Sequence, residues 1–235
     1  MANDREKILK APCQCGSGKS LGECHGADAP PAPPAALAGS PVTRCLDLAS
    51  GQSPRAGFEG VDRWPGAQHV VDLQKFPWPF EDGSVAELHC SHYIEHIPMR
   101  LVGSHDILAP VMEQHLHPYI GMDTLCAFFS ECYRILAPDG TMTVIWPSHR
   151  SDRAYWDPTH RRFIAPEVLW YLNETWRRAN KLDHYQINTN FLSEWTASMP
   201  EEIRLRFIDV QISMLKNYWN TTVDWIGKLK KMPRL

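Results

Sequence analysis

Three aspartates close three short apolar runs: Asp47 in RCLDL, Asp62 in FEGVD and Asp72 in QHVVDL. Carboxylates at the tips of successive strands can accept hydrogen bonds from an amine or from paired hydroxyls. A nucleoside carrying an amino acid offers such donors. Asp47 would face an ammonium, directly or through water, Asp62 both hydroxyls of a ribose, and Asp72 the exocyclic amine of an adenine. Gly51 lets the backbone come close to a ligand with no Cβ in the way. The plainer reading makes each aspartate a helix cap or a solvated turn residue. Three of them in register after three successive runs weigh against it.

A second set follows the run AELHCSH: Ser91, His92, Glu95 and His96. Imidazole is the natural proton acceptor near neutral pH, and an oxygen or nitrogen nucleophile that starts protonated needs one close by. His92 would lie at a strand tip, whereas His96 also fits a structural brace. A third set lies in HRSDRAYWDPTHRRF, where Asp157, His160, Arg161 and Arg162 offer a carboxylate, an imidazole and two anion-binding forks. The alternative there is an Asx-Pro turn with solvated arginines. Trp146, Tyr155 and Trp156 fit either a ligand-packing role or ordinary core. His92, His160, Glu95 and His96 are the catalytic candidates.

The stretch PCQCGSGKSLGECHG holds Cys13, Cys15, Cys24 and His25. Two close pairs of thiolate and imidazole ligands suit a closed, tetrahedral structural zinc site. A phosphate-binding loop is excluded because Cys13 stands where its first glycine is required.

These residues need a scaffold. Residues 1–26 form the cysteine module, and residues 27–41, ADAPPAPPAALAGSP, read as an extended tether. At ~3.1 Å per residue in polyproline geometry such a tether spans ~45 Å. Residues 42–235 read as one globular domain. VTRCLDL, FEGVD, QHVVDL, AELHCSH and TMTVIWP are the expected strands. Asp123–Leu136 carries the apolar spacing of a helix, ended by APDG. The long connection 97–122 is expected to hold a helix of its own, as is PEVLWYLNETWRRA with Pro166 in its first turn. RLRFIDVQISM reads as one or two late strands. Strands alternating with helices predict an α/β fold with a parallel sheet. Only 15 positions separate Asp47 from Asp62, so the first crossover is reduced to a turn around residues 52–56.

A hydrophobic content of 43% with 22% charged residues fits a folded protein, and a net charge near −3 argues against wrapping nucleic-acid backbone. No apolar run approaches a membrane span, no secretory leader is visible, and the cysteine usage fits a reducing compartment, so a cytoplasmic protein is expected.

The string LDLASGQSPRAGFEGVD, with EDGSVAELHCSHYIEHI and ECYRILAPDGTMTV, resembles class I S-adenosylmethionine (SAM)-dependent methyltransferases, in particular the shortened bacterial and phage type. The likeness covers roughly residues 43–162. It implies a Rossmann-like doubly wound sheet and SAM as cofactor, held by Asp47, Ala49, Ser50, Gly51, Asp62, Asp72, Leu73 and Ser91. Glu95 and His96 match the family's Glu-His pair, and DPTHRRF its loop after the fifth strand. Ala49 departs from the family's first glycine. An NAD-type reading is weaker, since G-x-G-x-x-G is absent. His89-Cys90-Ser91-His92 stands where DNA amino-methyltransferases carry an Asp/Asn-Pro-Pro-aromatic tetrad. That favours a small molecule, sugar or glycan as acceptor over nucleic acid. The cysteine stretch resembles the SEC-C zinc module, which implies zinc and a protein partner such as a chaperone or the ribosome. A rival function is a catalytically silent adaptor that docks partners through that module.

Overall fold

The computed structural model describes residues 42–109 and 117–235. The expected zinc module with Cys13, Cys15, Cys24 and His25, and the tether, lie outside the described residues.

Seven strands form one mixed sheet: β1 (Cys45–Leu48), β2 (Glu59–Asp62), β3 (His69–Val70), β4 (Val85–Ser91), β5 (Leu136–Pro147), β6 (Phe191–Ser198) and β7 (Asp224–Lys231). Their order is β3-β2-β1-β4-β5-β7-β6. β1 to β5 pair in parallel, while β7 runs antiparallel to both β5 and β6. The expectation of a parallel sheet therefore holds for five strands and fails for the last two. Leu46, Leu48, Val61, Leu88 and Cys90 are fully buried, so the central strands carry short apolar runs. The chain winds outward from β1 to β3 and returns to β4 on the other side of β1. That reversal falls at the carboxyl ends of β1 and β4, the usual ligand position in such sheets.

The first three connections, residues 49–58, 63–68 and 71–84, contain no helix, and the expected short turn around residues 52–56 is present. Helix α1 (Thr124–Ile135) is the crossover between β4 and β5. Asp123 caps it by accepting from Leu125 N at 2.9 Å. The predicted stripe of Leu125, Phe128, Phe129, Cys132 and Ile135 is buried against the sheet. Glu131 on α1 is also buried. It accepts from Trp78 N (2.6 Å), Arg134 Nε (2.7 Å) and the Tyr119 hydroxyl, and so fastens the loop before β4 to the helix.

Four expectations need correction. The helix ends at Ile135, just before APDG as expected, but the fifth strand begins at Leu136 rather than at TMTVIWP and takes APDG into it. Residues 136–141 instead bulge opposite Val85 and Glu87, with Asp139 left-handed at φ 61°. PEVLWYLNETWRRA splits into a 3-10 helix, Pro166–Leu172, and a short helix that follows α2 (Arg153–Trp156), α3 (Glu174–Ala179). Asn173 stops the first and caps the second by accepting from Trp176 N at 2.7 Å. RLRFIDVQISM is helical rather than extended, spanning α4 (Glu201–Arg204) and α5 (Ile208–Asn217). Its alternating apolar residues find no sheet to join, and Phe207 and Leu205 stay 83% and 74% exposed. Of the helix expected within 97–122, the described part holds only the 3-10 turn Ser104–Asp106.

On one side of the sheet Gly227 lies against Leu169, Val144 and Trp146, where a Cβ would stand 2.8–3.1 Å from those side chains. On β5 and β7 the alternate residues Thr141, Thr143, Lys228 and Lys230, with Glu87 and Glu194, line an open depression. It sits at mid-strand, away from the carboxyl ends. No helix of the described residues is long and apolar enough to cross a membrane.

Candidate functional site

The aspartates expected to grip a nucleoside meet at the carboxyl ends of their strands, and each is engaged by the chain itself. Asp47 on β1 is buried. Its Oδ1 pairs with His89 Nδ1 at 2.8 Å, and its Oδ2 accepts from Arg55 N at 2.7 Å. His89 stands directly across from Asp47 in the β1–β4 register. Asp62 at the end of β2 accepts from Gly51 N (2.9 Å, Oδ2) and Trp64 N (2.8 Å, Oδ1). Asp72 accepts from Gln74 N at 3.0 Å through Oδ1, which leaves Oδ2 for a further donor. A carboxylate oxygen has two lone pairs, so Asp62 can still accept from a ligand while it fixes the turn.

That turn forms without the usual first glycine. Ala49 takes φ 56° and Gly51 φ 57°, both left-handed. Ala49 N donates to Val61 O at 2.7 Å. A left-handed alanine costs roughly 1–2 kcal/mol, and the hydrogen bonds from Ala49 N and Gly51 N hold it in place. Ser50 Oγ is buried without a hydrogen-bond partner and faces Gly60, 2.8 Å from where a Cβ would stand. The side chain of Ser50 thus packs against β2, while its N–H donates to Val61 O and its carbonyl accepts from Ser53 N, both at 3.4 Å. Leu73 is buried, and Ser91 closes β4 half-exposed beside Ile145 of β5.

Immediately after β4 the chain turns at His92, left-handed at φ 53°, and enters the 3-10 helix Ile94–His96. Here the catalytic candidates converge. Glu95 is 1% exposed, yet neither carboxylate oxygen has a hydrogen-bond partner. His92 Nδ1 stands 3.4 Å and His160 Nε2 4.0 Å from the same Glu95 Oε1. The backbone carbonyl of Glu95 accepts from Arg161 N (2.7 Å) and Arg162 N (3.0 Å), which pins the loop after β5 onto this helix. The rings of His96 and His160 meet edge to face at 4.7 Å.

The DPTHRRF segment divides its labour. Asp157 accepts from Thr159 N and Thr159 Oγ1, both at 2.7 Å, which lowers its carboxyl pKa. The Asx-turn reading holds there. The Arg162 fork is not free for an anion: it donates to the carbonyls of Ile97 (2.9 Å) and Pro98 (2.7 Å) and to Asp123 (2.9 Å). Trp146 is core, with Nε1 donating to Ile164 O at 2.9 Å, while Tyr155 and Trp156 are exposed. Two neighbours are excluded as bases or nucleophiles. Burial pushes the Tyr93 hydroxyl and the Cys90 thiol well above their ordinary values, so both stay protonated.

Sequence reasoning missed His89 as the partner of Asp47, and Thr159 as the partner of His96 (Oγ1 to Nδ1, 3.0 Å). Both depend on register or loop contacts between distant residues, which spacing along the chain does not encode.

No family model matches the chain, and no curated protein matches it. Among solved structures it is similar to a SAM-dependent methyltransferase from Archaeoglobus fulgidus, at 18% identity over 81% of this chain and 87% of that one, TM-score 0.48. It is also similar to a SAM-dependent methyltransferase from Mesorhizobium loti, at 11% identity over 82% and 94%, TM-score 0.39.

Proposed function

We propose that the described domain is a SAM-dependent methyltransferase acting on an oxygen or nitrogen nucleophile of a small molecule, sugar or glycan. One observation carries this reading. The acids at the ends of β1 and β2 and after β3, with the imidazole–carboxylate group after β4, stand at the same end of one sheet, where the winding reverses. One half offers acceptors for a nucleoside, and the other offers bases for a nucleophile.

The residues fit the cofactor by donor type. Asp62 keeps lone pairs for ribose hydroxyls and Asp72 Oδ2 for an adenine amine, while the backbone of Ala49–Gly51 and Leu73 would line the amino-acid and adenine ends. Asp47, held by His89 and Arg55 N, serves through the shape of the turn and one remaining lone pair on each oxygen. SAM supplies an electrophilic methyl group when bound. The chain's own part is to orient the acceptor and take its proton. His92, 36% exposed at the strand tip and beside Glu95, is the residue placed to do so. Positioning supplies much of the rate in such a displacement.

The departure from glycine at Ala49 would favour the adaptor if the turn failed to form. Since that residue reaches the left-handed turn anyway, the departure does not favour it. Calorimetry with SAM separates the two: saturable binding supports an enzyme, and no binding supports the adaptor. Labelled SAM incubated with metabolite and glycan extracts then identifies the acceptor class. The zinc and partner-recruitment roles of Cys13, Cys15, Cys24 and His25 belong to the same proposal. Zinc counted by mass spectrometry should fall by one per chain in Cys13→Ser/Cys15→Ser, with SAM affinity unchanged.

A further inference from the structure

We infer that Glu95, His96 and His160 form a binding site for a divalent first-row transition-metal ion, separate from the cysteine cluster. One donor atom from each of the three lies within 4.8 Å of the other two. Metal–ligand bonds of ~2.1 Å set neighbouring donors roughly 3–4 Å apart. The 4.0 Å between His160 Nε2 and Glu95 Oε1 is therefore already the spacing of two ligands on one ion.

The second observation is the state of Glu95. A carboxylate that is 1% exposed and hydrogen-bonded through neither oxygen carries a large desolvation cost, and the nearest imidazole nitrogens stand 3.4 and 4.0 Å away. Buried charges in native proteins are paired or coordinate a metal, and a cation between Glu95 and the two rings removes the cost.

The hydrogen bonds around the imidazoles support the same assignment. A carbonyl oxygen only accepts, so the 2.7 Å bond between His160 Nδ1 and Ala154 O puts the proton on Nδ1. Nε2, on the side of Glu95, is left with its lone pair. Thr159 Oγ1 gives its single proton to Asp157 Oδ1 at 2.7 Å and so receives one from His96 Nδ1 at 3.0 Å. His96 is left with a lone pair on Nε2. Both rings thus carry the outer partners that metal-ligating histidines characteristically have, a backbone carbonyl and a hydroxyl–carboxylate relay. Two imidazoles and one carboxylate leave coordination positions open and suit an ion such as Zn²⁺, Co²⁺, Fe²⁺ or Mn²⁺. His92 Nδ1, 3.4 Å from Glu95, borders the open side. An acceptor hydroxyl could take an open position; that use rests on the methyl-transfer reading, whereas occupancy by the ion does not.

The test uses the full chain carrying Cys13→Ser/Cys15→Ser, so that the thiolates do not compete, dialysed against Co²⁺ without SAM. One Co²⁺ per chain should be retained, with weak visible bands and no thiolate charge-transfer absorption. Adding Glu95→Gln, or separately His160→Ala, should weaken Co²⁺ binding at least tenfold, and Thr159→Val should weaken it by a smaller factor. Circular dichroism identifies the variants that are folded. The partly exposed His96→Ala serves if Glu95→Gln does not fold. Absence of retained Co²⁺ in the parent, or an unchanged Kd in the folded ligand variants, overturns the site. SAM calorimetry on the same samples reads the methyltransferase proposal separately: Co²⁺ bound without SAM affinity sinks that reading and leaves this one standing.

Discussion

The two halves of the sheet's carboxyl end treat their carboxylates in opposite ways. Asp47, Asp62 and Asp72 each accept from the chain's own N–H groups, and Asp47 adds His89. The Glu95 carboxylate, the most buried of the four, accepts no hydrogen bond. A carboxylate that fixes its own loop builds the shape of a pocket and keeps spare lone pairs for a ligand. One buried without a hydrogen bond, with imidazoles 3.4 and 4.0 Å away, is placed to meet a proton or a cation rather than to fix a loop. The first half therefore resists single substitutions less in rate than in shape, and the second responds in chemistry.

Four measurements break or sharpen that contrast. The largest effect belongs to the chemistry half. His92→Ala should lower turnover on a verified acceptor by ~10²–10⁴-fold, the usual range for losing a general base, with SAM affinity unchanged. Normal turnover would place the proton acceptor elsewhere. Next is Asp62→Ala, which should weaken SAM binding by about 1.5–3 kcal/mol, since a charged acceptor is lost. It should also lower the melting temperature, because Gly51 N and Trp64 N lose their partner. Weakened binding without any change in melting would deny the shape-building role.

The third concerns Asp106, which holds the segment after β4. Burial raises its pKa, but the paired bonds from Arg100 and the bond from Gly103 N outweigh that and hold the carboxyl down at about 2. A depressed carboxyl contributes stability above its unfolded pKa of ~3.9 and loses it as pH falls through the folded value. Between about pH 4 and 2 the wild type should lose roughly 1–2 kcal/mol on this account, after discounting for screening at the one-third-exposed Arg100. Asp106→Asn should flatten that part of the acid denaturation profile. The smallest effect is Ala49→Gly, which should raise stability by ~1 kcal/mol by relieving the left-handed alanine. A loss of stability would mean that the alanine methyl packs usefully in the turn.

What the sequence made legible follows from where burial is periodic. β1, β2, β4 and α1 combine apolar periodicity with a clear stop, and Asp123 announces its helix by residue type alone. The last quarter of the chain misled for the same physical reason. Ile208, Val210 and Ile212 alternate like a strand but are exposed on α5, as are Leu205 and Phe207 in the turn before it. The real strand β7 has Gly227 at its centre and Lys228 and Lys230 turned outward, a weak apolar signal. At the site, residue type picked out Glu95, His96 and His160 as candidates. Their convergence, and the hydrogen bonds that fix the two rings, arise from loops that meet only in three dimensions.

The position of β7 sets the order in which the molecule can be finished. It lies between β5 and β6, although both precede it in the chain. As the polypeptide leaves the ribosome, the far edge of β5 must wait unpaired for some eighty residues, from Pro147 to Asp224, and β6 has no proper neighbour in that interval. Open strand edges of this kind are templates for mispairing and aggregation. β7 is thus the latch of the sheet. Met232 reinforces it by accepting from the Tyr133 hydroxyl on α1, 99 residues away in sequence. A chain cut before Asp224 would keep every strand-end acid and the whole imidazole group, yet it would leave β5 as an open edge and β6 without a partner.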